Sequence, residues 1–250
     1  MGKSSAFGTL FKMGTRQVET GTVLAATTVT GSGNATVVTT AAGMTGSPIT
    51  TPVAVLNGDT PDTVATKIRA ALQGIGNITA RFAIGGSGPQ VVLTRLIAAP
   101  NDATLNVSID NGTCTGLTTA ATSANTVAGV DYVTIAYAKN IGGPGLALDT
   151  KDATTHDQAT AFEELVPTIL RSGEIKLDLE YDPGNATHGA TSGLIAAIAN
   201  KTIQAFQLIF PGPYTWSFDG RPTGFEPGAP VDGDLTASAK VKVTGQPTLV

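Results

Sequence analysis

Residues 174–181 alternate strictly between charged and apolar side chains. Their order is Glu-Ile-Lys-Leu-Asp-Leu-Glu-Tyr. Because successive side chains of a β-strand point to opposite faces of the sheet, one face of this strand is charged and the other is apolar. Such a strand is typical of an antiparallel sheet that is buried on one side and wet on the other. The chain must therefore fold around a sheet with one apolar face.

This strand closes a longer segment, residues 141–183, around which we expect the chain to be organised. The segment opens with a glycine-rich turn at residues 141–144 and continues as a threonine-rich loop over residues 145–160. Two apolar runs follow, residues 162–170 and 174–181, on either side of Arg171-Ser172-Gly173. Two strand-like runs joined by a glycine-containing turn predict a hairpin. We therefore predict a long loop that leads into a β-hairpin.

Residues 18–129 differ from the sequence on both sides of them. They contain short runs of Thr, Val and Ala between Gly and Asn turns, with few acidic or aromatic residues. Residues 59–75 interrupt these runs with the apolar spacing of a helix, for which Thr60 is the predicted N-cap. Residues 131–137 alternate like a strand that continues the sheet begun by residues 5–16. We therefore predict a discontinuous domain, residues 1–17 and 130–250, and a small inserted α+β domain, residues 18–129.

The alternative organisation makes residues 17–129 the first half of one continuous β-sandwich. In either case the fold is mainly β. A second helix is predicted at residues 187–200. Further strands are predicted at residues 22–30, 35–40, 49–56, 78–84, 90–98, 103–110, 202–210, 214–227 and 234–244.

The distribution of charge argues against a surface that grips nucleic acid. Residues 130–250 contain eight basic and fourteen acidic residues, whereas phosphate binding needs clustered Lys and Arg. Charged residues make up 14% of the chain, against about 25% in an average globular protein, which suits subunits that pack against one another. No apolar run is long enough for a signal peptide or a membrane span, so we expect synthesis in the cytosol and no membrane insertion.

The sequence contains no pattern that predicts catalysis or a cofactor. The two histidines, His156 and His188, match no compact zinc motif, even with Asp152 or Asp157 added. Ser172 could be grouped with His156 and Asp157, but no nucleophile elbow surrounds this serine. The glycines at residues 142–145 lack the Lys of a phosphate loop. The single cysteine, Cys114, cannot form an intrachain disulfide. We expect neither an enzyme nor a bound cofactor.

A set of short motifs, in a fixed order over most of the discontinuous domain, resembles a known family. The motifs are Phe7-Gly8-Thr9, Ile141-Gly142-Gly143-Pro144, Asp149 with Asp152, residues 154–157, Gly173-Glu174, Tyr181-Asp182-Pro183, residues 224–227, residues 229–232 and residues 242–249. Residues 6–16 and 131–249 resemble the major tail proteins, or tail tube proteins, of bacteriophages with long non-contractile tails.

The resemblance implies a β-sandwich or short barrel flanked by one helix, plus the inserted domain, which would project from the tube exterior. It also implies hexameric rings that stack into a tube, through which DNA is ejected without specific binding. The partners would be further copies of the chain and the tape measure, tail terminator and tail tip proteins. The protein would be located in the virion tail after assembly in the host cytoplasm.

Two groups of candidate site residues follow from this resemblance. Carboxylates that line the lumen would repel DNA phosphates, and the candidates are Glu163, Glu164, Glu174, Asp178 and Glu180. They could equally be solvated charges on an outer surface, and Lys176 on the same face weakens the lumen interpretation. The loop that reaches a neighbouring subunit would contain Asp149, Lys151, Asp152, His156 and Asp157, unless it is an ordinary surface loop.

The alternative function is a surface-adhesion or carbohydrate-binding β module in which residues 17–129 bind the ligand. Sugar-binding platforms usually present exposed aromatic side chains. Phe82 is the only aromatic residue in this part of the sequence. Concentration-dependent assembly distinguishes the two hypotheses, because only the tube hypothesis predicts rings or tubules in negative-stain microscopy.

Overall fold

A computed structural model describes residues 7–25, 28–118, 123–155 and 162–250. The chain divides into two compact units. Met1–Met13 and Tyr132–Val250 form one, which we call the discontinuous unit, and Gly14–Asp131 form the other, the continuous unit. The predicted mainly β fold is confirmed. Among the described residues, no helix is long and apolar enough to cross a membrane.

The secondary structure in chain order contains many short strands and three short or medium helices within the described ranges. The strands and helices are β1 Leu10–Thr15, β2 Val18–Thr22, β3 Leu24–Ala25, β4 Gly33–Thr40, β5 Ile49–Val55, α1 Pro61–Gln73, α2 Gly76–Thr79, β6 Phe82–Gly85, β7 Gln90–Arg95, β8 Asn106–Asp110, β9 Leu117–Thr118, β10 Ala124–Val127, β11 Val130–Thr134, β12 Ala138–Gly142, β13 Ala147–Asp152, β14 Leu165–Arg171, β15 Glu174–Glu180, α3 Leu194–Ala199, β16 Gln204–Ile209, β17 Thr215–Gly228 and β18 Thr236–Leu249.

The discontinuous unit is built on a curled, seven-stranded half-barrel with the strand order β11-β1-β16-β17-β18-β15-β12. Its core contains a stack of three phenylalanines. The rings of Phe11 and Phe206 have centroids 5.2 Å apart, and those of Phe206 and Phe218 are 5.8 Å apart. The apolar residues of β15 (Ile175, Leu177 and Leu179) are buried beside them. The alternation predicted for this strand is confirmed, because its charged residues remain partly or fully exposed.

Strand β17 runs through Gly220 and pairs with β18 on both sides of it. A Cβ atom at Gly220 would lie 2.8 Å from Cγ1 of Val241 and 3.1 Å from Cδ2 of Phe206. The glycine therefore makes room for core side chains rather than ending the strand.

The helix predicted for residues 187–200 begins only at Leu194. The preceding residues are held in turns by Asn185, whose Oδ1 accepts hydrogen bonds from the backbone N–H of Thr187 at 2.9 Å and from its hydroxyl at 2.7 Å. A side-chain amide that caps local N–H groups in this way competes with helix formation. Only the short α3 remains, which buries Leu194, Ala196 and Ala197 and packs against β17.

The continuous unit consists of two main sheets and a helix around a core of its own. The sheets have the orders β10-β2-β7-β6 and β5-β4-β8, and β3 pairs with β9. Helix α1 has the predicted N-cap: Oγ1 of Thr60 accepts a hydrogen bond from the Thr63 N–H at 3.3 Å. Its apolar side packs against β5, β6 and β7.

Two strand predictions in this unit are wrong in part. Residues 78–84 begin in α2, which buries Ile78, and only Phe82–Gly85 form a strand. Residues 22–30 contain the end of β2 and the two-residue β3, and residues 26–27 lie outside the described residues.

Candidate functional site

Strands β13 and β14 form a two-stranded antiparallel hairpin in the segment from residue 147 to residue 171. Ala147 lies opposite Arg171 at one end of the hairpin, and Asp152 lies opposite Leu165 at the other. The sequence predicted a loop over residues 145–160 and a hairpin of β14 with β15. Both predictions are wrong. Strand β15 pairs with β12 on one edge and β18 on the other, so it has no edge free for β14. Strand β14 therefore pairs with part of the predicted loop.

Every residue of β14 is exposed, including its large apolar side chains. The exposed fractions are 48% for Leu165, 46% for Val166, 57% for Ile169 and 61% for Leu170. Leu148 on β13 is also exposed, and no described residue of this pair of strands belongs to the core of the unit. A group of exposed apolar side chains of this kind marks an interaction surface. We call residues 147–171 the apolar hairpin.

The predicted loop residues lie on or next to this hairpin where they are described. Oδ2 of Asp149 accepts a hydrogen bond from Nε of Arg171 at 2.7 Å and lies 2.7 Å from Nη2 of the same guanidinium as an ion pair. This pair joins the two strands near the base of the hairpin. Asp152 accepts a hydrogen bond from the Thr154 N–H at 2.8 Å, and the bonds from Thr154 lower the pKa of its carboxyl. Lys151 is exposed. His156 and Asp157 lie outside the described residues.

The five candidate lumen residues belong to two different elements. Glu174, Asp178 and Glu180 lie on the outward face of β15. Glu163 and Glu164 lie at the far end of the apolar hairpin, immediately before β14, and both are exposed. The structure therefore does not place these two glutamates across a β14–β15 hairpin from the other three.

The outward face of the sheet around β15 contains basic as well as acidic side chains. Glu174 lies opposite Lys242 of β18, and Lys176 lies opposite Lys240. Nζ of Lys139 is 2.6 Å from Oε1 of Glu180, which raises the pKa of that lysine. The two side chains of this ion pair are 58% and 41% exposed, so it contributes little to stability. The arrangement nevertheless neutralises charge locally and leaves a face of mixed sign.

Nζ of Lys240 is 3.8 Å from Oε1 of Glu226 on β17. Asp178 accepts a hydrogen bond from the side-chain amide of Asn140 on β12 at 3.2 Å. Acidic and basic side chains are thus interleaved across four neighbouring strands, β12, β15, β18 and β17.

A groove that sequence analysis missed lies at the mouth of the half-barrel. It is a half-open cavity of about 730 Å³ within the discontinuous unit. Its apolar lining includes Ile141, Leu208, Phe210, Tyr214, Trp216 and Leu249, and we call it the aromatic groove. Aromatic residues make up only 5% of the chain, yet three of them occur between residues 210 and 216. This local concentration of aromatic residues is the sequence signal that could have predicted the groove.

The structure offers no support for metal or triad chemistry among the described residues. No group of three or more His, Cys, Asp or Glu side chains there could hold a metal ion. His188 is fully buried, with Nε2 2.9 Å from the Ala136 carbonyl oxygen, while Nδ1 accepts a bond from the Asp182 N–H at 3.3 Å. Ser172 donates its hydroxyl hydrogen to the carbonyl oxygen of Gly245 at 2.7 Å. These side chains serve as links within the fold.

The position of Phe82 removes the basis for the carbohydrate-binding alternative. Its ring is 2% exposed and belongs to the core of the continuous unit. A buried ring cannot stack on a sugar. The alternative therefore has no aromatic platform in this part of the chain.

Comparison with known families decides which class of protein this fold belongs to. The family model of the lambda phage tail tube protein matches residues 115–250, more than half of the 250-residue chain. The chain belongs to the lambda phage tail tube protein family. The predicted resemblance is thereby confirmed at the level of the tail tube family. As a tail tube protein, the chain is a structural component of the phage virion, located in its tail.

Three solved structures are similar to about half of this chain. A chain in the virion of a native gene transfer agent particle is 13% identical, with a TM-score of 0.41, and the match covers 48% of this chain and 88% of that one. A chain in the tail of an empty gene transfer agent particle, with C6 symmetry, is 14% identical, with a TM-score of 0.40 and coverages of 48% and 87%. A chain in the baseplate of the anti-feeding prophage is 9% identical, with a TM-score of 0.39 and coverages of 48% and 84%. No curated protein sequence matches the chain.

Proposed function

We propose that copies of this tail tube protein form hexameric rings that stack into the tube of a long, non-contractile tail, the conduit for DNA ejection. The observation that carries this proposal is the apolar hairpin, whose large side chains are about half exposed on a chain of the tail tube family. Exposing apolar side chains to water costs free energy. Contact with neighbouring copies would bury them and remove this cost. Assembly in the host cytoplasm, and contact with tape measure, tail terminator and tail tip proteins, belong to the same proposal.

Within the ring, the hairpin residues Asp149, Lys151 and Asp152 would lie at the contact with a neighbouring subunit. The ion pair between Asp149 and Arg171 supports this role, since it ties together the two strands that would enter the contact. His156 and Asp157 are part of the proposed contact by their place in the sequence. Joining subunits through strands also satisfies sheet edges that would otherwise pair without control.

The outward face of β15, with Glu174, Asp178 and Glu180, is proposed to line the lumen, together with Glu163 and Glu164. Two of the lysines on this part of the sheet support the idea in a modified form, although Lys176 lies opposite another lysine. Lys139 and Lys240 each have a carboxylate partner, at 2.6 and 3.8 Å. A lysine neutralised in this way holds phosphate less strongly than a cluster of unpaired lysines. Such a lining would let DNA slide past without specific binding.

Residues 18–129 are proposed to be an inserted domain that projects from the tube exterior, with residues 1–17 and 130–250 as the tube domain. The division of the chain into two compact units, each with its own apolar core, supports this assignment. Deleting residues 18–128 and joining the ends should leave a soluble subunit that still assembles. Loss of soluble protein on this deletion would favour the continuous-sandwich alternative.

Negative-stain microscopy of the purified full chain at increasing concentration tests the main proposal. We expect rings or tubes, and class averages of end-on views should show sixfold symmetry. Proteins that initiate tail assembly can be added to promote nucleation. A chain that remains a monomer at high concentration, with initiator proteins present, would overturn the proposal.

A triple substitution tests the lumen assignment. Glu174→Lys, Asp178→Lys and Glu180→Lys together should allow assembly but impair DNA passage, measured as infectivity of particles that carry the variant. The matched control is the neutral triple variant Glu174→Gln, Asp178→Asn and Glu180→Gln, which alters the same positions without adding positive charge. Full infectivity of particles that carry the lysine variant, with tails of normal appearance, would refute the lumen assignment.

A further inference from the structure

We propose that the aromatic groove of one copy receives the apolar hairpin of a second copy. The inference rests on the proposed function, and it names the two surfaces that meet when copies assemble. Both surfaces belong to the discontinuous unit. The groove is an open cavity, and no other described part of the chain packs over the apolar side chains of β14.

The groove has the shape and chemistry of a receptacle for aliphatic side chains. It lies between β12, which forms one edge of the half-barrel, and the ends of β16, β17 and β18. Its volume of about 730 Å³ can hold several aliphatic side chains. Tyr214 is 61% exposed and Leu249 is 56% exposed, so apolar surface at its rim faces solvent. A groove rich in aromatic rings is typical of surfaces that anchor a partner.

The hairpin presents the complementary surface. Residues 165–170, Leu-Val-Pro-Thr-Ile-Leu, contain no charged residue. Glu163 and Glu164 immediately precede this run. The described residues of the groove lining include no acidic residue and one lysine, Lys139, which also pairs with Glu180. An apolar strand flanked by acids therefore matches an apolar groove with a lysine among its lining residues. Opposite charges around an apolar contact favour the correct partner and register.

The hairpin does not lie in the groove of its own chain, and its base is tightly packed. Gly143 and Gly173 both have positive φ angles, of 94° and 71°. A Cβ atom at Gly143 would collide with the carbonyl oxygen of Glu174, and one at Gly173 would collide with that of Gly145. Backbone segments this close fix the direction in which the hairpin leaves the sheet. No residue of β13 or β14 lines the groove, so a hairpin that enters it would come from a second copy.

Cross-linking between two single-cysteine variants tests the inference in assembled protein. The background variant is Cys114→Ser, which removes the only native cysteine. One chain then carries Ile169→Cys and the other carries Tyr214→Cys, and these exposed positions tolerate substitution. The two chains are mixed, assembled and oxidised, and covalent heterodimers are resolved by gel electrophoresis with a tag on one chain. The matched control replaces the groove position with Val231→Cys, an apolar loop residue that is 100% exposed.

We expect heterodimers from the Ile169 and Tyr214 pair at a yield about tenfold or more above that of the Val231 control. Tubes that form normally but yield no excess of this heterodimer would overturn the inference while leaving the proposed function intact. Disulfides only between two Ile169 variants would also overturn it, because hairpins would then meet each other. Failure of all variants and of the unmodified chain to assemble would overturn both the inference and the proposed function.

Discussion

The apolar hairpin provides the most direct test of how this tail tube protein assembles. We consider the fourfold variant Leu165→Thr, Val166→Thr, Ile169→Thr and Leu170→Thr. Threonine keeps a high β propensity, so the strand itself should survive. The variant removes most of the apolar surface that β14 presents and leaves both cores unchanged.

The magnitude follows from the exposed fractions, which lie between 46% and 61%. Burying a whole Leu, Ile or Val side chain contributes about 1.5–3 kcal/mol, so the exposed half of each can contribute about 1 kcal/mol in a subunit contact. Four side chains then contribute about 4 kcal/mol per hairpin, which corresponds to roughly a thousandfold change in association constant. The free energy of unfolding of the monomer should change by less than about 0.5 kcal/mol for each substitution, because these positions are on the surface.

The assay is the critical concentration for tube formation, measured by light scattering and confirmed by microscopy. Urea unfolding of the unassembled chain, followed by circular dichroism, checks that the variant folds. Val231→Thr is the control, since it removes an apolar side chain that is 100% exposed elsewhere in the same unit. A critical concentration within about threefold of that of the unmodified chain, in a variant that folds normally, would refute the reasoning.

Three further predictions concern the stability of the single chain. Phe206→Ala, at the centre of the three-ring stack, should lower the free energy of unfolding of the discontinuous unit by about 3–5 kcal/mol in urea titrations. Thr60→Ala removes the N-cap of α1 and should cost about 1 kcal/mol, measured by thermal unfolding of the continuous unit. Burial raises the pKa of the Glu19 carboxyl, against a smaller opposite effect of the Ser123 hydroxyl. The contribution of Glu19 to stability should therefore fall as the pH rises above about 4.3. Glu19→Gln should flatten this pH dependence in unfolding curves measured at several pH values.

The sign of the Glu19 effect follows from proton binding. A carboxyl with a raised pKa in the folded state binds its proton more tightly when folded, so its contribution to stability is complete at low pH and is lost as the pH rises through the folded pKa. An equal slope in the variant would contradict this account.

For Phe206, a loss below about 1 kcal/mol would show that the stack contributes little. For Thr60, Thr60→Ser retains the hydroxyl and should retain most of the stability.

Sequence patterns correctly predicted the strands and helices that depend on neighbouring residues. The charged and apolar alternation of β15 identified its first residue and its buried face and placed its end one residue late, and the N-cap and apolar spacing of α1 identified that helix nearly to its ends. The family resemblance rested on motifs in residues 6–16 and 131–249, and the family match over residues 115–250 agrees with the second part. These features could be predicted because each depends on neighbours within a few turns or residues.

The parts that sequence reasoning missed depend on contacts between distant residues. Strand β13 contains Asp149, Lys151 and Asp152 with no regular alternation, because neither of its faces is buried in the single chain. The partner of β14 could not be inferred without knowing that β12 and β18 occupy both edges of β15. The aromatic groove combines residues near 140, 210 and 249, which only the curled sheet brings together.

Strands β1 and β11 are neighbours in the seven-stranded sheet, although more than a hundred residues separate them in sequence. The chain thus leaves the sheet by one strand and returns by the strand beside it. A polypeptide whose two termini are close together can be accepted between such strands without a change in their pairing. If tubes form as proposed, this junction is a position at which an enzyme or an antigen could be grafted, so that a filament displays it once per subunit.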